Sequence, residues 1–121
     1  RKHAGRMVPL PVQHAMIAAL SDEKHVTEQR ARYNARRATL TPALTAAGFT
    51  IEHSEAGLYI WATRNENCWD SVSWLAERGV IATPGIFYGE GGASHIRIAM
   101  TATDAQIAEA AERINSKVGT K

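Results

Sequence analysis

The chain has 121 residues, 45% of them hydrophobic and 21% charged, with a formal net charge of +2. That is enough sequence for one globular domain with a buried core, and too mild a charge to single out nucleic acid or another polyanion as partner. Cys68 is the one cysteine, which excludes an internal disulfide and suits a reducing, cytoplasmic setting; no stretch has the apolar length of a membrane span and no signal-peptide pattern opens the chain.

Residues 1–11 are polar and then proline-punctuated (Met7-Val8-Pro9-Leu10-Pro11). Such prolines disfavour helix until Pro11, which suits a first helical turn, so a short helix is expected over 12–20. Ser21-Asp22 offers a cap for a long helix over 23–47, with Val26, Tyr33, Leu40 and Leu44 on one apolar stripe and Gly48 as its stop. Pro42 predicts a kink or a restart near Leu40. Residues 49–53 and 58–62 read as a β-hairpin linked through Ser54-Glu55-Ala56-Gly57. Asn67 caps an expected helix over 68–78, with Val72, Leu75 and Ala76 inward and Gly79 as terminator. Residues 80–83 read as a short buried strand.

A glycine-rich loop, Pro84-Gly85-Ile86-Phe87-Tyr88-Gly89-Glu90-Gly91-Gly92, then feeds the strand Ser94-His95-Ile96-Arg97-Ile98-Ala99-Met100. Thr103 and Gln106 have capping-box spacing for a last helix whose apolar face is Ile107, Ala110, Ala111 and Ile114. The order of elements predicts an α/β fold, with helices covering one face of a small mixed, mostly antiparallel sheet.

Arg97 is the residue that asks for an explanation. Strand alternation sends Ile96, Ile98 and Met100 one way, into the core, and His95, Arg97 and Ala99 the other. A guanidinium on a rigid strand can clamp a carboxylate with two parallel hydrogen bonds. The alternative is an arginine dissolved in solvent on an open sheet face. The glycine loop feeds a strand, whereas phosphate loops feed a helix N-terminus, so it reads as a turn with positive-φ glycines. The histidines are scattered without metal-ligand spacing, and no metal site is expected. Cys68 reads as a small half-buried side chain. Arg30, Arg32, Arg36 and Arg37 read as a solvated basic face on the long helix, and Lys24, Glu28 and Arg32 as a surface charge ladder.

Several stretches together carry a resemblance. They are Arg1-Lys2-His3-Ala4-Gly5, Pro9-Leu10-Pro11-Val12-Gln13, Gln29-Arg30-Ala31-Arg32-Tyr33, Glu55-Ala56-Gly57-Leu58-Tyr59-Ile60-Trp61, Pro84-Gly85-Ile86-Phe87-Tyr88-Gly89 and His95-Ile96-Arg97-Ile98-Ala99. In order and spacing the chain resembles the C-terminal part of a fold-type I, pyridoxal-phosphate-dependent aminotransferase of class I/II. The closest likeness is to actinobacterial N-succinyldiaminopimelate aminotransferases of lysine biosynthesis.

The resemblance implies a substrate site made by Arg97, Tyr88 and Gly89, in which Arg97 binds the substrate α-carboxylate and Tyr88-Gly89 lies near the entrance. It implies transfer of an amino group from glutamate to N-succinyl-2-amino-6-oxoheptanedioate through a Schiff base to the cofactor, in a cytoplasmic homodimer. It further implies an exit segment from a missing large domain over 1–22, a connecting helix over 23–47 and a small C-terminal domain over 48–121. The opening on Arg1 rather than methionine fits a piece of a longer protein.

The family's Schiff-base lysine, its pyridine-pairing aspartate and most phosphate-holding groups belong to a segment upstream of this chain. Lys2, in its Arg-Lys-His setting, does not match the cofactor-lysine motif. No catalytic or cofactor-binding residue is therefore expected in this chain. The competing readings are a stand-alone α/β module that binds small carboxylates without catalysis, and a purely structural domain.

This chemistry requires a nucleophilic lysine and a positioned cofactor. The 121-residue chain alone is expected to be inactive and to lose added pyridoxal phosphate on dialysis. A Schiff-base absorbance band that survives dialysis would contradict this.

Overall fold

Pro9 holds an extended backbone (φ −56°, ψ 143°), and Pro11 lies in the first turn of helix α1 (Leu10–Leu20), where a missing N–H leaves no bond unmade. The helix thus starts two residues earlier than Pro11 suggests. The computed structural model describes residues 2–5 and 7–116, and the chain divides into two compact units between Ala31 and Arg32. The expected fraying beyond Ser116 lies outside the described residues. In the first unit α1 buries none of its residues. Helix α2 (Glu23–Ala46) begins at Asp22, whose carboxylate accepts from the N–H of Lys24 at 3.0 Å and of His25 at 3.4 Å. Of the expected charge ladder, the Lys24–Glu28 rung forms, at 3.8 Å between exposed side chains.

In the second unit α2 runs through Pro42 without the expected restart. Its buried residues, Leu40, Ala43 and Leu44, flank the proline, so core packing holds the helix across the lost bond. The helix ends in a Schellman motif around Gly48: Phe49 N–H donates to the Leu44 carbonyl at 3.0 Å and Gly48 N–H to that of Thr45 at 3.0 Å. Helix α3 (Cys68–Ala76) ends the same way around Gly79, with Val80 N–H donating to Leu75 O at 3.0 Å and Gly79 N–H to Ala76 O at 2.9 Å.

This second motif explains two departures from the sequence reading. The helix stops short of Arg78, and Val80 has its N–H committed to the helix end. Residues 80–83 therefore do not form a buried strand; Ile81 is 92% exposed, and pairing is confined to β3 (Thr83–Pro84). The buried stripe of α3 is Cys68, Ser71 and Leu75, a spacing that turns Ala76 outward. Asn67 caps the helix as expected, accepting from Trp69 N–H at 3.0 Å.

The remaining strands are β1 (Thr50–Ile51), β2 (Tyr59–Thr63) and β4 (His95–Ala99). The sheet order is β1-β2-β4-β3, and every described pairing is antiparallel rather than mixed. β1 is shorter than expected because His53 adopts a left-handed backbone, φ 52°. β2 sits one residue later than expected. Ile60, Ala62, Ile96 and Ile98 on the inner face join Leu40 and Leu44 of α2, Leu75 of α3, and Ile107 and Ile114 of helix α4 (Asp104–Asn115) in one core.

Thr103 and Gln106 form the full capping box of α4. Arg36 joins Asp104 at 2.6 Å and the Met100 carbonyl at 2.9 Å, and Arg37 donates to the Gly57 carbonyl at 2.7 Å. These two arginines fasten the fold and do not form the solvated face expected of them.

The glycine-rich loop is built from two 3-10 turns, Gly85–Tyr88 and Glu90–Gly92, joined at Gly89 (φ 117°). Its other glycines do not supply positive φ. Gly85 and Gly92 instead bring two backbones together. A Cβ on Gly92 would lie 2.6 Å from the Gly85 carbonyl carbon, and one on Gly85 would lie 2.5 Å from the His95 carbonyl oxygen. The loop is pinned further by Cys68 N–H, which donates to Ala93 O at 2.8 Å.

Gly92→Ala is expected to destabilise the second unit by roughly 1–3 kcal/mol, the usual cost of overpacking, measured by denaturant unfolding. Wild-type stability in this variant would remove the close approach as a constraint. A second expectation concerns Asp22. The hydrogen bond from the His25 ring, reinforced by the His25 N–H, holds its carboxyl below the usual carboxylate range. The cap is therefore fully present above that range and is lost as pH falls through the lowered value. Amide protection at Lys24 and His25, corrected for intrinsic exchange, should fall on acidification in the wild type and stay level in Asp22→Asn, which caps at any pH. Identical profiles would remove Asp22 as the cap.

Candidate functional site

β4 separates two chemistries by alternation. Ile96 and Ile98 are 0% and 4% exposed on the core side, while His95 and Arg97 are half-buried on the outer face. Arg97 pairs with Trp61 of β2 on one side and Thr83 of β3 on the other. Its guanidinium carbon lies 4.2 Å from the Tyr59 ring centroid and 5.0 Å from that of Tyr88.

Among the described residues Arg97 has no hydrogen-bond or ion-pair partner, and its buried Nε is unsatisfied. Apart from the exposed Arg32, the other arginines of the second unit are engaged with oxygen. Arg36 holds Asp104, Arg64 lies 3.3 Å from Glu66, Arg78 donates to the Trp74 carbonyl at 2.9 Å, and Arg113 holds Glu109. Ring faces attract a cation but accept none of its in-plane N–H bonds. Arg97 thus keeps its hydrogen-bonding edge for an external acceptor, and a carboxylate matches that edge with two parallel bonds.

The structure brings Arg97 and Tyr88 together, with Gly89 next in the chain after Tyr88. The Tyr88 ring is half exposed. Two neighbours of Arg97 escaped the sequence reading, Tyr59 and Trp61; His95 lies on the Arg97 side of β4, as strand alternation predicts. The Trp61 indole stacks on the His95 ring (5.3 Å, 10° between planes) and meets the Tyr88 ring edge-on (5.8 Å, 77°). Alternation along β2 places Tyr59 and Trp61 on one face, but the register that sets Trp61 opposite Arg97 is a property of the pairing and not of either segment.

Two concavities lie elsewhere. A groove of about 920 Å³ is lined by Pro42, Phe49, Ile51 and Ser54, and one of about 380 Å³ by Gly79, Ile81, Gln106 and Ala110. Neither includes Arg97, Tyr88 or Gly89, and the arginines that line them, Arg37 and Arg113, already have partners. The Arg97 face is the better candidate on these grounds. No group of three or more His, Cys, Asp or Glu side chains suited to a metal occurs among the described residues, and none of their helices is long and apolar enough to cross a membrane.

The model of the family "Aminotransferase class I and II" matches residues 3–114. A probable aminotransferase of Mycobacterium tuberculosis is 60% identical over 114 residues, which is 94% of this chain and 27% of that protein. The 4-dedimethylamino-4-oxo-anhydrotetracycline transaminase of Streptomyces rimosus is 58% identical over 114 residues, 94% of this chain and 32% of that protein. The chain therefore spans about a third or less of these relatives' length. Among solved structures, an aromatic aminotransferase from Pyrococcus horikoshii matches with a TM-score of 0.75 and 28% identity, over 86% of this chain and 30% of that one. A probable N-succinyldiaminopimelate aminotransferase from Thermus thermophilus matches with a TM-score of 0.59 and 29% identity, over 69% of this chain and 23% of that one.

Enzymes of this class depend on pyridoxal phosphate. The described residues do not make a site for it. Lys24, the lysine whose surroundings are described, is 84% exposed in a surface pair with Glu28, and a Schiff-base lysine needs a dry, low-pKa setting. The outer sheet face around Arg97 offers one cation and no helix N-terminus for a phosphate. What the face does offer is a guanidinium edge among rings. With the family match running almost from end to end and the small-domain fold in agreement, the chain belongs to the class I and II aminotransferases.

Proposed function

We propose that the chain is the C-terminal part of a pyridoxal-phosphate-dependent aminotransferase and that Arg97 binds the substrate α-carboxylate. The observation that carries this reading is the Arg97 guanidinium, flanked by two tyrosine rings and left without an acceptor. Tyr88 and Gly89 border the approach to it. Residues 1–22 lead out of a large domain, 23–47 connect, and 48–121 form the small domain that closes over the substrate. The large domain supplies the lysine and the cofactor site, so this chain alone neither holds the cofactor nor turns over. The intact protein works in the cytoplasm as a homodimer.

For the amino acceptor we propose N-succinyl-2-amino-6-oxoheptanedioate, with glutamate as donor, in lysine biosynthesis. The Glu55–Trp61 and Phe87–Gly89 stretches and the likeness to the Thermus thermophilus enzyme support it. The Streptomyces rimosus relative, at higher identity, is named for a tetracycline intermediate, which makes that polycyclic ketone the acceptor to assay beside it. Faster turnover of the polycyclic ketone would replace the acceptor proposed here and leave the role of Arg97 standing.

In the full-length enzyme Arg97→Ala is expected to lower kcat/KM for glutamate by about 2–5 kcal/mol, roughly thirtyfold to a few thousandfold. Arg97→Lys should recover only part of it, since an ammonium cannot form the planar fork. Kinetics within about twofold of wild type in Arg97→Ala would contradict the assignment.

A further inference from the structure

Trp61 has no role in the reading above, yet its indole touches nearly every part of the Arg97 face. It lies directly across the sheet from Arg97. One face stacks on His95, and the ring meets Tyr88 edge-on. At its far end the indole abuts Gly85, where an added Cβ would lie 2.8 Å from the ring carbon Cη2. His95 is itself held, with its Nδ1 3.2 Å from the Ser94 hydroxyl. The indole is therefore gripped between a strand neighbour, a loop backbone and the Tyr88 ring.

Tyr88 closes the chain of contacts. It sits at the end of a short 3-10 turn and is half exposed, and its ring meets Trp61 and Arg97. The Tyr88 ring in turn lies over the guanidinium. A guanidinium confined between two ring faces can turn only within a narrow range, and bidentate capture of a carboxylate depends on that plane.

We infer that Trp61 is a positioning residue: its indole holds the Tyr88 ring against the Arg97 guanidinium and so fixes the plane in which Arg97 meets a carboxylate. Trp61 contacts no substrate in this account. It acts by limiting the orientations of a group that does. The inference rests on the proposed carboxylate role of Arg97.

The test uses the full-length enzyme with its cofactor bound. Arg97→Ala, Trp61→Ala and Trp61→Phe are compared by kcat/KM for glutamate and for 1-aminobutane, an amine without a carboxylate. Trp61→Ala should lower kcat/KM for glutamate by roughly ten- to a hundredfold, as misplacement of a binding group does, and that for the amine by less than about twofold. Trp61→Phe, which keeps a flat ring against Tyr88, should return glutamate to within about threefold of wild type. Equal losses on both substrates would show a merely structural role and overturn the inference, as would an undiminished value for glutamate. If Trp61→Ala does not fold, His95→Ala removes the stack alone and carries the same expectation. An Arg97→Ala enzyme that loses equally on both substrates would overturn the carboxylate reading, and the positioning role with it. A loss in Arg97→Ala confined to glutamate, with none in the Trp61 variants, would overturn the positioning role alone.

Discussion

A strand has two faces, and β4 uses them for opposite purposes. Ile96 and Ile98 are fixed in the core against α2, α3 and α4, so the face that bears Arg97 cannot turn inward without exposing them. A one-residue slip would bury a guanidinium and expose two isoleucines. The hydrophobic core therefore does more than stabilise the fold. It holds the direction of a single cation, and the rings of Tyr59, Trp61 and Tyr88 only refine an orientation that the alternation has already decided.

The treatment of arginine elsewhere in the molecule makes Arg97 stand apart. Arg64 and Arg78 also lie against aromatic rings, with guanidinium carbons 4.7 Å and 3.6 Å from the Trp74 centroid. Each of them also reaches an oxygen, Glu66 for one and the Trp74 carbonyl for the other. Among the described residues, Arg97 has the rings without the oxygen. A half-buried cation in that condition gives up hydration and receives only the weaker compensation of ring faces. Under the proposed role, a carboxylate would supply what is missing and turn an unsatisfied group in the free protein into binding free energy.

The order of elements could be read from the chain because its signals are local. Thr103 and Gln106 cap α4, Asn67 caps α3, and the glycines at 48 and 79 stop the helices before them. Arg97 could be singled out because one charge in an apolar alternating run is conspicuous. What escaped were consequences of particular bonds and packing contacts, most of them between distant segments. Val80 looked like the start of a strand because its commitment to the Leu75 carbonyl is invisible in composition. Pro42 looked like a break because the packing of Leu40, Ala43 and Leu44 is not a local property. Arg36 and Arg37 looked solvated because their acceptors, at Met100 and Asp104 for the first and Gly57 for the second, lie far along the chain. Trp61 joined the Arg97 face through a strand register that no single segment encodes.

The meeting of Gly85 and Gly92 bears on how the molecule can diversify. The path of the loop is set chiefly by main chain against main chain, with the Trp61 indole against Gly85. Of the side chains on that path, Ile86 packs against the core and Tyr88 meets Trp61 and Arg97, while Phe87 projects largely into solvent. The ring at position 87 can therefore be exchanged while Arg97 stays where it is. The same closure forbids changes of length, since an inserted residue would part the two glycines and pull on the start of β4. Variation here is open in chemistry at the exposed ring and closed in spacing.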